Sequence, residues 1–484
     1  MPARPQPYIS VVAAARNDNH GGDMTRRMQA CLDSWIEEAR AFALPSEFIV
    51  VEWNPPAGRP PLHSELRLPA DDPLCAVRFL EVPREIHHSL PFAGAIPFHQ
   101  MIAKNAGVRR AAGEFVLATN IDILFSAELM RYLAERKLDP TAFYRMDRWD
   151  IAREIPCPAP VEDVLAFAAA NRRRVCAREG TWDSAGGGIR PVETPDIVAP
   201  DSGIRLGRGW YGVESGDGVA KRSPGPVAEL VLERPPAAWR LVIEADAGPS
   251  ARDGRAEWQV LDSSGAAVAS AQIEGRCRLR LTLPRGQRDG AVRFRHARPG
   301  LGLTEDVRLL ELRVFSIRWE PGAAADAWSF DVLDRAPGAD WTTRIPSLSP
   351  YAAAMREPFH LHTNACGDFT MMSRRAWCAL RGYPEFPIWP THLDALLCYT
   401  AYHAGFAEVI LEDPMRVYHI EHPAVWTPDT EEEREARAAQ RGVPLLSYQT
   451  FVELCQFMRR FNAPLIFCGA GWGLAGHHLP ETSF

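Results

Sequence analysis

Apolar and polar positions alternate in blocks along the first 150 residues. Tyr8–Ala15 (YISVVAAA), apolar but for Ser10, predicts a buried strand, followed by a polar, glycine-bearing loop, RNDNHGGD. Behind it Met24, Met28, Cys31, Leu32, Trp35 and Phe42 recur at helical spacing. Glu47–Trp53 (EFIVVEW) predicts a second buried strand stopped by NPPAGRPP, and Val77–Val82 a third. Phe98–Ala111 predicts a helix, and Phe115–Ala118 a fourth strand that runs out on Thr119, Asn120 and Asp122. Strands separated by helices and Pro/Gly loops predict a mostly parallel sheet covered on both faces. Ligands of such sheets meet the carboxyl ends of the strands. Here those ends are Arg16–Asp18, Glu52 and Asn120–Asp122, all polar.

From Gly203 the helical period disappears. In CRLRLTL, Cys277, Leu279, Leu281 and Leu283 share one face while Arg278, Arg280 and Thr282 share the other. With WRLVIEA, AEWQVL, AVRFRH and VRLLELRVFSIRW this predicts an antiparallel sandwich ending near Trp319. The mixed pattern then resumes. Ala365–Phe386 reads strand, helix and glycine turn, Thr391–Phe406 a helix, Ala407–His422 extended chain, and two helical segments close the sequence. Because the α/β pattern stops and restarts around the sandwich, the sandwich is expected to be an insertion. The expected class is α/β, a mostly parallel sheet flanked by helices, interrupted by an antiparallel β-sandwich and ended by a helical tail. The expected divisions are 1–202 and 321–425 for the two α/β halves, 203–320 for the sandwich and 426–484 for the tail.

Composition narrows this little. The 484 residues are 46% hydrophobic and 24% charged, as in a globular chain with a sizeable core. The net charge of −7 and the scattered arginines offer no footprint for nucleic acid. Ten cysteines form no Cys-x-x-Cys pair, and Cys31, Cys398 and Cys455 fall at apolar helical positions, as reduced thiols would. No stretch has the length of a signal peptide core or a membrane span. A cytoplasmic protein without an integral membrane segment is expected, with a peripheral membrane acceptor left open.

The chemistry sits at the strand tips. Asn120 and Asp122, two apart, would point the same way if the strand continued. A carboxylate and an amide so arranged suit a hard divalent cation, Mn²⁺ or Mg²⁺, that also holds phosphate oxygens; a capping turn is the other reading. Arg16, Asn17 and Asp18 leave the first strand where a base and pyrophosphate would lie. No G-x-G-x-x-G follows that strand, which argues against a nicotinamide cofactor.

Taken together, the segments at Ala14–Asp18, Glu52, KNAG…AAGEFVLATNID and GDFTMMSRRAWCALRGYPEF resemble family 2 glycosyltransferases of GT-A fold, over roughly residues 8–150 and 360–422. Their wording is similar to a poorly described bacterial branch. The resemblance implies that Ala14, Arg16, Asn17, Asp18, Glu52, Lys104, Asn105 and Asn120 bind a nucleotide-sugar. It implies a divalent metal on Asp122, completed by a late histidine, His419 or His422 in YHIEH. It aligns Asp394, ten residues before Ala404-Gly405, with the base that deprotonates the acceptor hydroxyl. His362 and Asp368, with the neighbouring His360, are candidates for the acceptor side, and Trp389 either stacks on a sugar or fills core. Two positions depart from the family pattern: Asn120 replaces the first acid of Asp-x-Asp, and Leu393 replaces the Glu of Glu-Asp. The segment Gly207–Leu232 resembles the opening of small β-sandwich modules in bacterial glycosyltransferases, in which Trp210 and Tyr211 would either stack on carbohydrate or anchor the core.

The function so implied is metal-dependent, inverting transfer of a sugar from a nucleotide-sugar to a hydroxyl acceptor: a glycan, a lipid-linked sugar or a small molecule. A retaining transferase and a nucleotidyltransferase compete on the same scaffold. From another class comes a non-catalytic GT-A-like protein that binds carbohydrate or serves as a scaffold.

Overall fold

The computed structural model describes the chain apart from residues 1–3, 179, 186–187, 192–196, 200–201, 212–213, 217–218, 234–237, 288–289, 299, 302, 304–305, 307, 338–360 and 424–430. The chain divides into two compact units, Met1–Arg173 with Leu361–Phe484, and Arg174–His360.

In the first unit an eight-stranded sheet runs in the order Ala407–Leu411, Ala142–Met146, Thr370–Ser373, Phe115–Ala118, Ile9–Ala15, Ser46–Trp53, Cys75–Val82, Glu481–Ser483. Ile9–Ala15 is parallel to Phe115–Ala118 and to Ser46–Trp53, which is parallel to Cys75–Val82. Every residue of Ile9–Ala15 and Ser46–Trp53 is buried, as both-face coverage requires. Helix Met24–Ala41 lays Met24, Met28, Cys31, Leu32 and Trp35 into the core on one face; side chains of this kind each stabilise by about 1.5–3 kcal/mol when fully buried. Helix Gln100–Arg110 crosses at Gly107, where a Cβ would stand 2.5 Å from Val12. Only glycine lets the backbone come that close.

Two details position the site. Thr370–Ser373 enters antiparallel between Phe115–Ala118 and Ala142–Met146, carrying the preceding turn to the strand tips. Beyond Ala118 the chain turns and starts a different strand, Ile123–Phe125. Val417–Ile420 pairs with it antiparallel, and with Arg148–Ile151 in parallel.

The tail differs from the expectation. Helices Glu431–Gln440 and Tyr448–Phe461 are present, but the residues after Phe461 are not helical. They end in Glu481–Ser483, an edge strand on Cys75–Val82 that Arg78 fastens by bridging Glu47 and Glu481. Three residues are too few to show a strand period, so the pattern carried no trace of it.

Besides shorter strand pairs, the second unit holds two larger antiparallel sheets. One has the order Ile204–Leu206, Val227–Leu232, Gly290–His296, Arg255–Leu261, Ala267–Glu274, and the other Leu312–Glu320, Arg240–Ala247, Arg276–Thr282, Ser329–Ala336. Their inner faces meet at Trp258 and Phe294, stacked 4.4 Å apart, against Phe330 of the opposite sheet. The sandwich opens at Ile204, beside the expected limit of 203, and its last strand, Ser329–Ala336, lies beyond the expected 320, within a unit that spans Arg174–His360. Ser329–Ala336 pairs along Arg276–Thr282, yet only Phe330 of that strand is buried, so its alternation was faint. Trp210 and Tyr211 are core anchors, both buried, with Trp210 Nε1 donating to Glu229 O at 2.8 Å. Neither is available to stack on a sugar.

Candidate functional site

Strand pairing brings distant residues to one point. His419 lies opposite Ile123 on one side and Asp150 on the other, and Ile420 N–H donates to Asp122 O at 3.0 Å. His419 Nε2 and His422 Nε2 stand 3.9 and 3.3 Å from Asp122 Oδ2. One donor atom from each of the three lies within 4.8 Å of the others. The other ring nitrogen of His419, Nδ1, is held by Asp150 at 3.1 Å, the carboxylate–imidazole arrangement that orients metal-ligating histidines. One carboxylate and two imidazoles fit a divalent cation, and the outer carboxylate that fixes the His419 ring is already in place.

The same Asp122 oxygen is paired with Arg27, whose other nitrogen donates to the His20 and Gly22 carbonyls. Burial would raise the Asp122 pKa. The hydrogen bond with His422 and the charges of His419, Arg27 and His422 outweigh burial and hold the carboxyl far below its ordinary range. Burial and Arg148 disfavour charge on His419, but its bond to Asp150 and the charges of Asp122 and Asp150 prevail and raise its pKa.

The network continues beyond the histidines. Arg148 bridges Asp150 at 2.8 Å and Asp368 at 2.5 Å. Asn120 donates to the second Asp368 oxygen at 2.5 Å and accepts from Gln100 at 2.9 Å. Asn120 and Asp122 therefore do not converge as alternation along one strand would require. The turn at Ile121–Asp122 moves Asp122 to the next sheet, and the partners of the two side chains are disjoint.

On the expected nucleotide side, Arg16 donates to Asn54 O at 3.0 Å and pairs with Asp18, while Asn17 donates to Pro60 O at 3.0 Å. Ala14 is a buried strand residue opposite Val51. Glu52 is buried; Oε2 accepts from Leu62 N at 2.9 Å, and among the described residues Oε1 has no hydrogen-bond donor. Burial, more than the nearby Glu81 and Glu65, pushes its pKa up to about 7 against the Leu62 hydrogen bond. Lys104 is fully buried and donates to Gly367 O at 2.6 Å. Burial lowers its pKa, opposed by the charges of Asp368 and Asp394.

Three expected ligand groups make contacts of their own within the protein. Asn105 accepts from Tyr383 N and donates to Tyr383 O and Glu385, so it ties its helix to the Gly382–Glu385 turn with both of its amide hydrogens spent there. His362 is wholly buried, its Nε2 3.1 Å from Asp147, and does not reach an acceptor surface. Trp389 packs against Ile96, Ala438 and Val443 with Arg441 over its ring at 4.4 Å. His360 lies outside the described residues. Asp368 has both oxygens engaged by Asn120 and Arg148. Asp394 is half-buried near the start of helix Leu393–His403, its Oδ1 accepting from Ala395 N at 3.0 Å. Its Oδ2 rests on the Gly367 backbone, 3.0 Å from where a Cβ would stand.

Sequence reasoning missed Arg27, Arg148, Asp150 and Gln100. The first left a signal: Arg27 sits in the apolar stripe of its helix, between Met24 and Met28, and a charge there needs a buried partner. Arg148 and Asp150, two apart on a strand, share a face by alternation.

Fold and site together define a mixed α/β protein with a mostly parallel sheet and a cluster of one carboxylate and two imidazoles able to hold a cation. No family model matches the chain, and no curated protein matches it. Among the described residues no helix is long and apolar enough to cross a membrane.

Proposed function

We propose that the protein is a glycosyltransferase that moves a sugar from a nucleotide-sugar to a hydroxyl acceptor with inversion, using a divalent cation. The observation that carries this reading is the Asp122–His419–His422 cluster, which lies next to the turn that ends strand Phe115–Ala118 of a mostly parallel sheet. A cation held there would neutralise the leaving diphosphate. Asp122 supplies the negative ligand, and His419 is presented in a fixed orientation by Asp150. Arg16 and Glu52, at the tips of adjacent parallel strands, would face the nucleoside, with Glu52 Oε1 lacking a hydrogen-bond partner among the described residues. Asp394 would take the acceptor hydroxyl proton. Its exposure is intermediate, as a base that must meet an acceptor requires.

A second reading rests on a specific observation. Arg27 already neutralises Asp122, and Asn120 is engaged by Gln100 and Asp368, as in a protein that keeps the scaffold without the reaction. Thermal-shift measurements with UDP, GDP, ADP, CMP and dTDP, with and without Mn²⁺, separate the readings when run on wild type and Asp122→Ala. A shift for one nucleotide that needs both Mn²⁺ and Asp122 supports the transferase; no shift with any of them refutes it.

A further inference from the structure

Resting on the transferase reading, we infer that His392 and Phe451 are positioning residues for Asp394, so that the C-terminal helix Tyr448–Phe461 belongs to the acceptor side of the reaction. His392 immediately precedes helix Leu393–His403 and stands at φ +60°, the left-handed region that a side chain other than glycine enters at a cost. Helices Ala127–Ala134, Arg374–Leu380 and Tyr448–Phe461 start instead on Ser126, Ser373 and Ser447. Each of these serines has a negative φ, and its side chain accepts from a first-turn N–H. The strained start lies two residues before the carboxylate proposed to take the acceptor proton. Strain of this kind collects at reacting groups where the surroundings enforce it.

Here the C-terminal segment enforces it. The His392 ring stacks on Phe451, with centroids 5.3 Å apart and planes 20° from parallel, and Tyr448 lies at 5.7 Å. Phe451 is buried and meets Tyr399 edge-on at 5.7 Å, so it grips helix Leu393–His403 at its start and about two turns further along. Upstream, Trp389 N–H donates to Pro444 O at 2.8 Å, and Arg441 lies over the Trp389 ring at 4.4 Å. The turn that leads into Asp394 is thereby fastened to residues 441–451 at both of its ends. His392 O accepts from Leu396 N at 2.9 Å, so the backbone of His392 sets the direction in which the first turn leaves. Asp394 stands in that turn with its Oδ2 against Gly367, and a tilt of the helix start would lift the carboxylate away.

The test is turnover of UDP-glucose, GDP-mannose, ADP-glucose and dTDP-glucose by the full chain in Mn²⁺, with water as acceptor. Water joins the anomeric carbon, its proton passes to Asp394, and the nucleoside diphosphate leaves and is measured. His392→Gly accepts the left-handed backbone but lacks the ring, and Phe451→Leu keeps a buried apolar side chain but removes the stack. Each is expected to lower kcat by about tenfold or more with the donor KM unchanged, because a displaced carboxylate costs reaction rather than donor binding. In an Asp394→Asn background neither substitution should lower kcat further, since the group they position is already gone. Unchanged kcat per folded molecule in both variants, or an equal loss in the Asp394→Asn background, overturns the assignment and leaves the transferase reading standing. No turnover of any donor by wild type overturns that reading, and the assignment with it.

Discussion

Replacing Arg27 by methionine keeps the aliphatic bulk of a buried helix position and removes the charge that balances Asp122. The two side chains are 4% and 7% exposed, so water cannot take over the lost partner. Breaking a buried pair from one side costs about 3–5 kcal/mol, and two charges about 4 Å apart attract by about 4 kcal/mol at an effective dielectric near 20. His419 and His422 remain beside the carboxylate and offset part of this, which puts the expected loss at about 3 kcal/mol. In a unit of roughly 300 residues that corresponds to a melting temperature about 6 °C lower. A divalent cation supplies the missing positive charge at the same oxygen. Differential scanning fluorimetry should therefore show the full drop in chelator and recovery of most of it in saturating Mn²⁺. An equal drop in both conditions, or none in chelator, would refute the view that Arg27 and a cation share one carboxylate.

Asp394→Asn should lower sugar transfer by about 10²–10⁴-fold while leaving nucleotide affinity intact, measured by product formation and calorimetry. Gly21→Ala, strained at φ +71° and driven against His422, should cost about 1–3 kcal/mol and weaken Mn²⁺ binding; a variant with wild-type stability and Mn²⁺ affinity would count against the contact. The raised pKa of Glu52 has a definite sign: the folded protein keeps a proton that the unfolded chain releases at about 4.5. Its contribution to stability is thus full below about 4.5 and is lost as pH rises through about 7. Glu52→Gln removes that term, so urea denaturation at pH 5 and pH 8 should show the variant gaining on wild type by roughly 2 kcal/mol at the higher pH. Asn105→Ala should destabilise by about 2–3 kcal/mol through the buried groups it leaves unpaired, and nucleotide binding by the folded fraction should not change.

Much of the scaffold was legible because its signals are local. Continuous apolar runs marked Ile9–Ala15 and Ser46–Trp53, a helical period marked Met24–Ala41, and alternation marked Arg276–Thr282 as a strand with one face inward. These patterns depend on neighbours two to four residues away, and a chain carries them whatever its partners. Asp122, His419 and His422 could be named one by one for the same reason, as polar residues at the ends of such runs. What they touch depends on pairing across almost 300 residues of sequence. The antiparallel register of Val417–Ile420 with Ile123–Phe125 sets His419 beside Asp122, and the parallel register with Arg148–Ile151 supplies Asp150. The same long-range packing turned Asn120 away from Asp122, spent Asn105 on a turn and buried His362. Composition and period determined which segments would be strands and helices. Only the tertiary structure decided which side chains share a point in space, because strand register is chosen by the buried faces of all the partners together.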